Sequence, residues 1–154
     1  SQNNSVRVPY PKMHATIVVF AMALAVLEAV GFDQSTAVTG TLMCHGKPMS
    51  KVTVKLYDDD TGPDLDDLMD EGVTDAQGRF SLAGYTDEVL TIDPKINIYH
   101  DCDDGIMPCQ RRITIFVPSS YVTRGKTPTT QYNAGAIELS GQFSGEERDC
   151  LHKK

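Results

Sequence analysis

Residues 95–117 read KINIYHDCDDGIMPCQRRITIFV, and their alternation decides the fold. Ile96, Ile98, His100 and Cys102 fall on one face of a first extended arm. Cys109, Arg111, Ile113, Ile115 and Val117 fall on one face of a second. A β-strand repeats every two residues, so each arm offers one apolar row to a core. Between the arms lies Asp103-Asp104-Gly105-Ile106-Met107-Pro108, whose Asp, Gly and Pro residues have turn chemistry. The simplest reading is a hairpin with a cysteine at each foot. Two strands of opposite sheets would give the same pattern.

Working outward, the same period recurs. Val38, Leu42 and Cys44 are in phase and mark a first strand, preceded by a short leader from Phe32 to Ala37 and followed by a His45-Gly46-Lys47-Pro48 turn. Lys51–Tyr57 alternates without a fault, with Val52, Val54 and Leu56 inward and Lys51, Thr53 and Lys55 toward water. An Asp75-Ala-Gln-Gly78 turn between short flanking strands reads as a second hairpin, with Phe80 and Leu82 facing the core. Gly84–Pro94 reads as a mixed loop, and Pro118 ends the strand before it because proline cannot continue a central ladder. Ser119–Thr130 is polar and turn-rich. A last strand, Ala134–Leu139, sets Ile137 and Leu139 either side of Glu138, and a polar tail runs from Gly141 to Lys154. About seven short strands without a convincing long helix imply an all-β sandwich.

One segment breaks the pattern. Asp58, Asp59, Asp60, Asp64, Asp66, Asp67, Asp70 and Glu71 crowd into fourteen residues. Leu65, Leu68 and Met69 have helical spacing, so a helical turn after Asp64 is possible. Lys55 is the nearest base, and eight like charges imply a solvated, mobile loop in which salt screens the repulsion.

The N-terminal portion has a different character. Ala15–Leu27 is an uncharged run of 13 residues, too short for a bilayer core that takes about 20. Followed by the small residues Ala29-Val30-Gly31, it reads as a secretory signal. With Met13 as the start, residues 1–12 are an upstream leader, 13–31 the signal and 32–154 one domain. The whole chain carries 21 acids against 14 bases, a net charge of −7. That acidity argues against nucleic acid and against simple docking on anionic membranes. Without a second long apolar run there is no transmembrane anchor to expect, and the destination is extracellular.

Cys44, Cys102, Cys109 and Cys150 make an even count, which in a small secreted domain reads as two disulfides. Three connectivities are possible. The hairpin favours Cys102–Cys109, leaving Cys44–Cys150. The C-x6-C spacing, with no second close pair, does not match the usual spacing of a zinc site.

Six pieces, in order, carry a resemblance: V-T-G-T-L-M-C at 38–44, T-V-K-L-Y-D-D-D at 53–60, D-L-D-D-L-M at 64–69, T-D-A-Q-G-R-F at 74–80, I-D-P-K-I-N-I-Y-H-D-C at 92–102 and P-C-Q-R-R at 108–112. Together with Cys150 they resemble the nematode transthyretin-like family. The resemblance implies a prealbumin-type β-sandwich, secretion and a four-cysteine pattern. The related hydroxyisourate hydrolases end in Tyr-Arg-Gly-Ser, whereas this chain ends in Leu-His-Lys-Lys, so their activity does not carry over.

The residues themselves offer little catalytic chemistry. His45 and His100 lie inside the domain, but Asp101 is only adjacent in sequence to His100, and neighbours on a strand point to opposite faces. His100 therefore reads as a hydrogen-bonded histidine at a strand end. There is no G-x-S-x-G elbow, no cofactor motif and no EF-hand D-x-D-x-D-G pattern. The sequence thus implies a secreted binding module without catalytic, cofactor or metal residues. Its partner would be a small apolar molecule, a lipid or a cell-surface protein; a hydroxyisourate-type hydrolase or a calcium-dependent adaptor are the alternatives.

Overall fold

The computed structural model describes residues 32–60 and 65–151, so the leader and signal expectations lie outside the described residues. The described chain forms two five-stranded sheets packed face to face. The first is built on β1 (Phe32–Cys44), a 13-residue strand. It pairs antiparallel with the two-residue β2 (Lys47–Pro48), with β5 (Arg79–Glu88) and with β8 (Thr123–Arg124), and parallel with β9 (Tyr132–Glu138). The second sheet has the order β10 (Glu147–Asp149), β7 (Gln110–Phe116), β6 (Pro94–His100), β3 (Thr53–Asp58), β4 (Asp67–Val73). A single 3-10 turn, Ser119–Tyr121, is the sole helical element among the described residues.

The decisive stretch is a hairpin. β6 and β7 pair antiparallel with Ile96 opposite Ile115, Ile98 opposite Ile113 and His100 opposite Arg111. Directly opposite residues share a face, so the two isoleucine rows merge and meet Val54 and Leu56 of β3. Across the gap they face Val38, Leu42, Phe80, Leu82, Ile137 and Leu139 of the first sheet region. All seven residues of β6 are buried, including Lys95, Asn97 and Tyr99 on the opposite row. As the central strand, β6 has this outer row covered by neighbouring side chains; Thr114, for one, donates to the Asn97 amide oxygen at 2.7 Å.

Several expectations change. The leader Phe32–Ala37 is part of β1, because its N-terminal half pairs in register with Ala83–Glu88. That same pairing makes a strand of the first part of the expected 84–94 loop. The helical turn after Asp64 is absent: residues 67–73 are β4, paired to β3, and their helical spacing is overridden by the ladder. The polar tail carries β10, held on β7 with Asp149 opposite Gln110.

The disulfide pairing is also corrected. Cys44 bonds Cys102, and Cys109 bonds Cys150. Continued pairing beyond His100–Arg111 would set Cys102 opposite Cys109. Instead the ladder stops there. A turn closed by the Asp104 N–H on the Asp101 carbonyl, with Asp103 in the left-handed region, takes the chain out of the strand and carries Cys102 to the end of β1. Cys109 then finds Cys150 through the β7–β10 register.

β4 and β5 are edge strands of different sheets, and they nearly touch. A Cβ on Gly84 would stand 2.5 Å from the Met69 carbonyl oxygen, a contact that only backbone movement could relieve. The Asp70 carboxylate stitches the same seam by accepting the Ala83 N–H at 2.9 Å. Gly84→Val is expected to cost about 1–3 kcal/mol by overpacking, read as a lower urea midpoint. An unchanged midpoint would mean that the seam is loose.

Candidate functional site

The two ends of the sandwich concentrate the charged groups. At one end β3 finishes in Asp58, which is 2% exposed. It accepts the Asp93 N–H at 2.8 Å, while the Asp59 N–H donates to the Asp93 carbonyl. The acidic stretch is therefore not a uniformly solvated loop. Burial pushes the Asp58 carboxyl up to about 6, against the lowering pull of the Asp93 N–H, and Asp60, Glu88 and Asp93 add repulsion. Ligand atoms of Asp58, Asp60 and Glu88 lie within 4.8 Å of one another. Asp59 and Asp66 are committed elsewhere, both to Lys95, with Asp66 at 2.7 Å. Burial alone would lower the Lys95 ammonium, but its hydrogen bonds to Asp59 and then Asp66 outweigh that and raise it. Lys55 pairs with Glu71 at 3.1 Å. The sequence missed Lys95 as a counter-ion because it lies 36 residues from Asp59.

These acids floor a cleft of about 280 Å³, completed by Val89, Leu90, Thr91 and Asp93. Val89 and Leu90 are 64% and 78% exposed, and Phe32, opposite Glu88 in the ladder, is 56% exposed. The rim is held from below. The Gln34 amide donates to the Leu90 carbonyl and accepts the Ile92 N–H. The arrangement sets an apolar rim beside a carboxylate cluster, which suits a ligand that is cationic and partly apolar.

The opposite end is closed by Arg111, 6% exposed. Its Nε and one terminal nitrogen donate to the two Glu146 carboxylate oxygens at 2.5 and 2.7 Å; the remaining donors reach the carbonyls of Cys102, Leu139 and Gly141. The guanidinium is thereby occupied structurally, although it forms part of the wall of a charged cleft of about 440 Å³. His100 lies beneath it, fully buried. Its Nδ1 accepts the Cys102 N–H at 3.3 Å, and its Nε2 has no hydrogen-bond partner among the described residues. Burial, then the Arg111 charge, lowers the His100 imidazole to about 4. Asp101 accepts from the Gln110 amide at 2.9 Å. His45 sits 2.6 Å from Asp103 at the surface, beside the Cys44–Cys102 disulfide.

The protein so defined is a disulfide-pinned, two-sheet sandwich with shallow, charged clefts at its ends. A family model described as the transthyretin-like family, TTR-52, matches residues 39–118. Transthyretin-like protein 33 of Caenorhabditis elegans is 56% identical over 135 residues, covering 85% of this chain and 94% of that protein. Transthyretin-like protein 5 of the same organism is 53% identical, with 88% and 98% covered. The solved structure of (S)-allantoin synthase aligns at 18% identity and a TM-score of 0.43, covering 88% of this chain and 55% of that one. The chain belongs to the transthyretin-like family.

Proposed function

We propose that this chain is a secreted, extracellular binding module whose ligand is a cell-surface protein, engaged at the Asp58 end through a basic segment. The observation that carries the reading is the cleft with Asp58, Asp60 and Glu88 on its floor and Val89 and Leu90 on its rim. Exposed apolar side chains bordered by charged groups mark a protein-docking surface, where the charge selects the partner. A small apolar ligand fits less well, since such ligands favour enclosed, mainly apolar pockets, and the larger described cleft is walled by Arg111, Glu146, Glu147 and Arg148. Secretion is supported by the two disulfides, by the apolar run at 15–27 and by the family. The relatives carry the names of transthyretin-like proteins, not of enzymes.

The test is a binding screen of the purified domain against receptor ectodomains and lipid vesicles. A partner captured by the wild type should bind at least about tenfold more weakly to Asp60→Lys/Glu88→Lys, and more weakly in high salt. Capture of lipid alone, or a partner indifferent to that variant, would overturn the reading. The same three carboxylates favour a second reading, a calcium-dependent adaptor, because calcium takes several oxygen ligands. Millimolar calcium is expected to leave the melting temperature unchanged. A rise that vanishes in Asp60→Asn/Glu88→Gln would replace the first reading with the second.

A further inference from the structure

We infer that the corner formed by Cys44, His45, Cys102 and Asp103 is a latent zinc site, closed while its disulfide is intact and opened by reduction. One donor atom from each of the four residues lies within 4.8 Å of the other three. Two sulfurs, an imidazole nitrogen and a carboxylate oxygen form a set that zinc accepts. Tetrahedral bonding at about 2.0–2.3 Å separates such donors by roughly 3.3–3.8 Å. The His45 Nε2 and the Asp103 Oδ1 are already 2.6 Å apart, on side chains 65% and 43% exposed, so the ion would enter from solvent.

The backbone holds this cluster in place. His45 and Asp103 both occupy the left-handed region, at φ of 52° and 53°, each directly following one of the bonded cysteines. A non-glycine residue takes that conformation at a cost. At His45 a clamp fixes it: the Glu138 carboxylate accepts the N–H groups of His45 at 2.9 Å and Gly46 at 2.8 Å. The Gly46 bond, then hydrogen bonds from Ser140 and least the His45 bond, lower the Glu138 carboxyl to about 2. A surface ion pair alone contributes little to stability, so the pair's position over two sulfurs is the feature that a metal site accounts for.

In the oxidised protein both sulfurs are bonded to each other and neither is a thiolate. A dithiol reductant attacks the disulfide through its thiolate, and its second thiol resolves the mixed disulfide. The reductant leaves as its own disulfide, having supplied two electrons, and Cys44 and Cys102 become thiols. Zinc then binds both sulfurs and displaces the two thiol protons to solvent; the neutral imidazole and the Asp103 carboxylate complete the shell. The other disulfide, Cys109–Cys150, has no such histidine–carboxylate pair among the described residues. The site thus takes a soft divalent cation in one redox state only.

The experiment titrates the reduced full-length protein with cobalt(II) as a zinc probe, under argon, after removal of the reductant. The wild type should bind one equivalent, with tetrahedral absorption and a thiolate-to-cobalt charge-transfer band that zinc abolishes. The oxidised protein should show neither feature. Both features should survive in reduced Cys109→Ser/Cys150→Ser and vanish in Cys44→Ser/Cys102→Ser. His45→Ala and Asp103→Asn, which keep every cysteine, should each bind roughly tenfold or more weakly. Should reduction loosen the fold, zinc should restore the wild-type melting transition and fail to restore that of His45→Ala. Bands that follow Cys109 and Cys150 instead, wild-type affinity in both His45→Ala and Asp103→Asn, or no cobalt binding by the reduced protein would each overturn the inference.

Discussion

Replacing Arg111 by alanine is expected to remove about 3–5 kcal/mol of stability, the cost of breaking a buried ion pair from one side. Arg111 joins three stretches that lie just outside the strand ladders. It holds Glu146 through two hydrogen bonds, the Cys102 carbonyl at the start of the hairpin tip, and the Leu139 and Gly141 carbonyls after β9. Alanine would leave the Glu146 carboxylate, 19% exposed, without its counter-charge and three carbonyls without donors. Those hydrogen bonds, against the raising effect of burial and ahead of the charge attraction, hold the Glu146 carboxyl below its ordinary range. Lysine should rescue only part of the loss, because one ammonium cannot reproduce the planar fork. Urea unfolding of Arg111→Ala, Arg111→Lys, Glu146→Gln and the double variant would measure the coupling. A loss below about 1 kcal/mol in Arg111→Ala would show that the cluster is solvated and the tail independently held.

Arg111 also marks how far the sequence could be read. Its position on the inward face followed from alternation with Ile113, Ile115 and Val117, and the structure keeps it there. Its partners did not follow, because Leu139, Gly141 and Glu146 lie 28–35 residues away in a segment of little periodicity. The strands with one apolar row, read at 51–57 and in the two arms of 95–117, were legible for the same reason: period two is a local property. The disulfides were not. Pairing Cys102 with Cys109 assumed that the ladder continues, and the Asp101–Asp104 turn, with Asp103 in the left-handed region, takes the chain out of it. The acidic stretch misled in the opposite sense. Eight like charges imply solvation only if the counter-charges are local, and Lys95 arrives from β6, beside β3 in the sheet but 36 residues from Asp59 along the chain. The close approach of Gly84 to Met69 likewise belongs to the meeting of two sheets and has no sequence signal.

The pH dependence of stability should show two buried groups acting in opposite directions. His100 has its folded pKa lowered to about 4 from an ordinary 6.5, so the unfolded chain binds the proton more tightly. Its contribution to stability is complete above pH 6.5 and is lost as the pH falls toward 4, about 3 kcal/mol across that window. Asp58 has its folded pKa raised from 3.8 to about 6, so here the native state binds the proton more tightly. The cost of its buried charge is complete above pH 6 and is relieved as the pH falls toward 3.8, again about 3 kcal/mol. The two contributions nearly cancel between pH 6.5 and 4, and single substitutions expose each. Asp58→Asn keeps an oxygen for the Asp93 N–H and removes the charge. It should be more stable than the wild type at pH 7.5, by about 1–3 kcal/mol, with the advantage gone by pH 4. His100→Gln removes the acid-sensitive imidazole, and relative to the wild type it should improve as the pH falls from 7 to 4. Differences between variant and wild type are the readout, because Glu146 and Glu138, both lowered, titrate in the background of every variant. Urea midpoints at pH 7.5, 6, 5 and 4 give those differences directly. An Asp58→Asn difference that stays constant with pH would mean that the Asp58 carboxylate is hydrated in the folded protein.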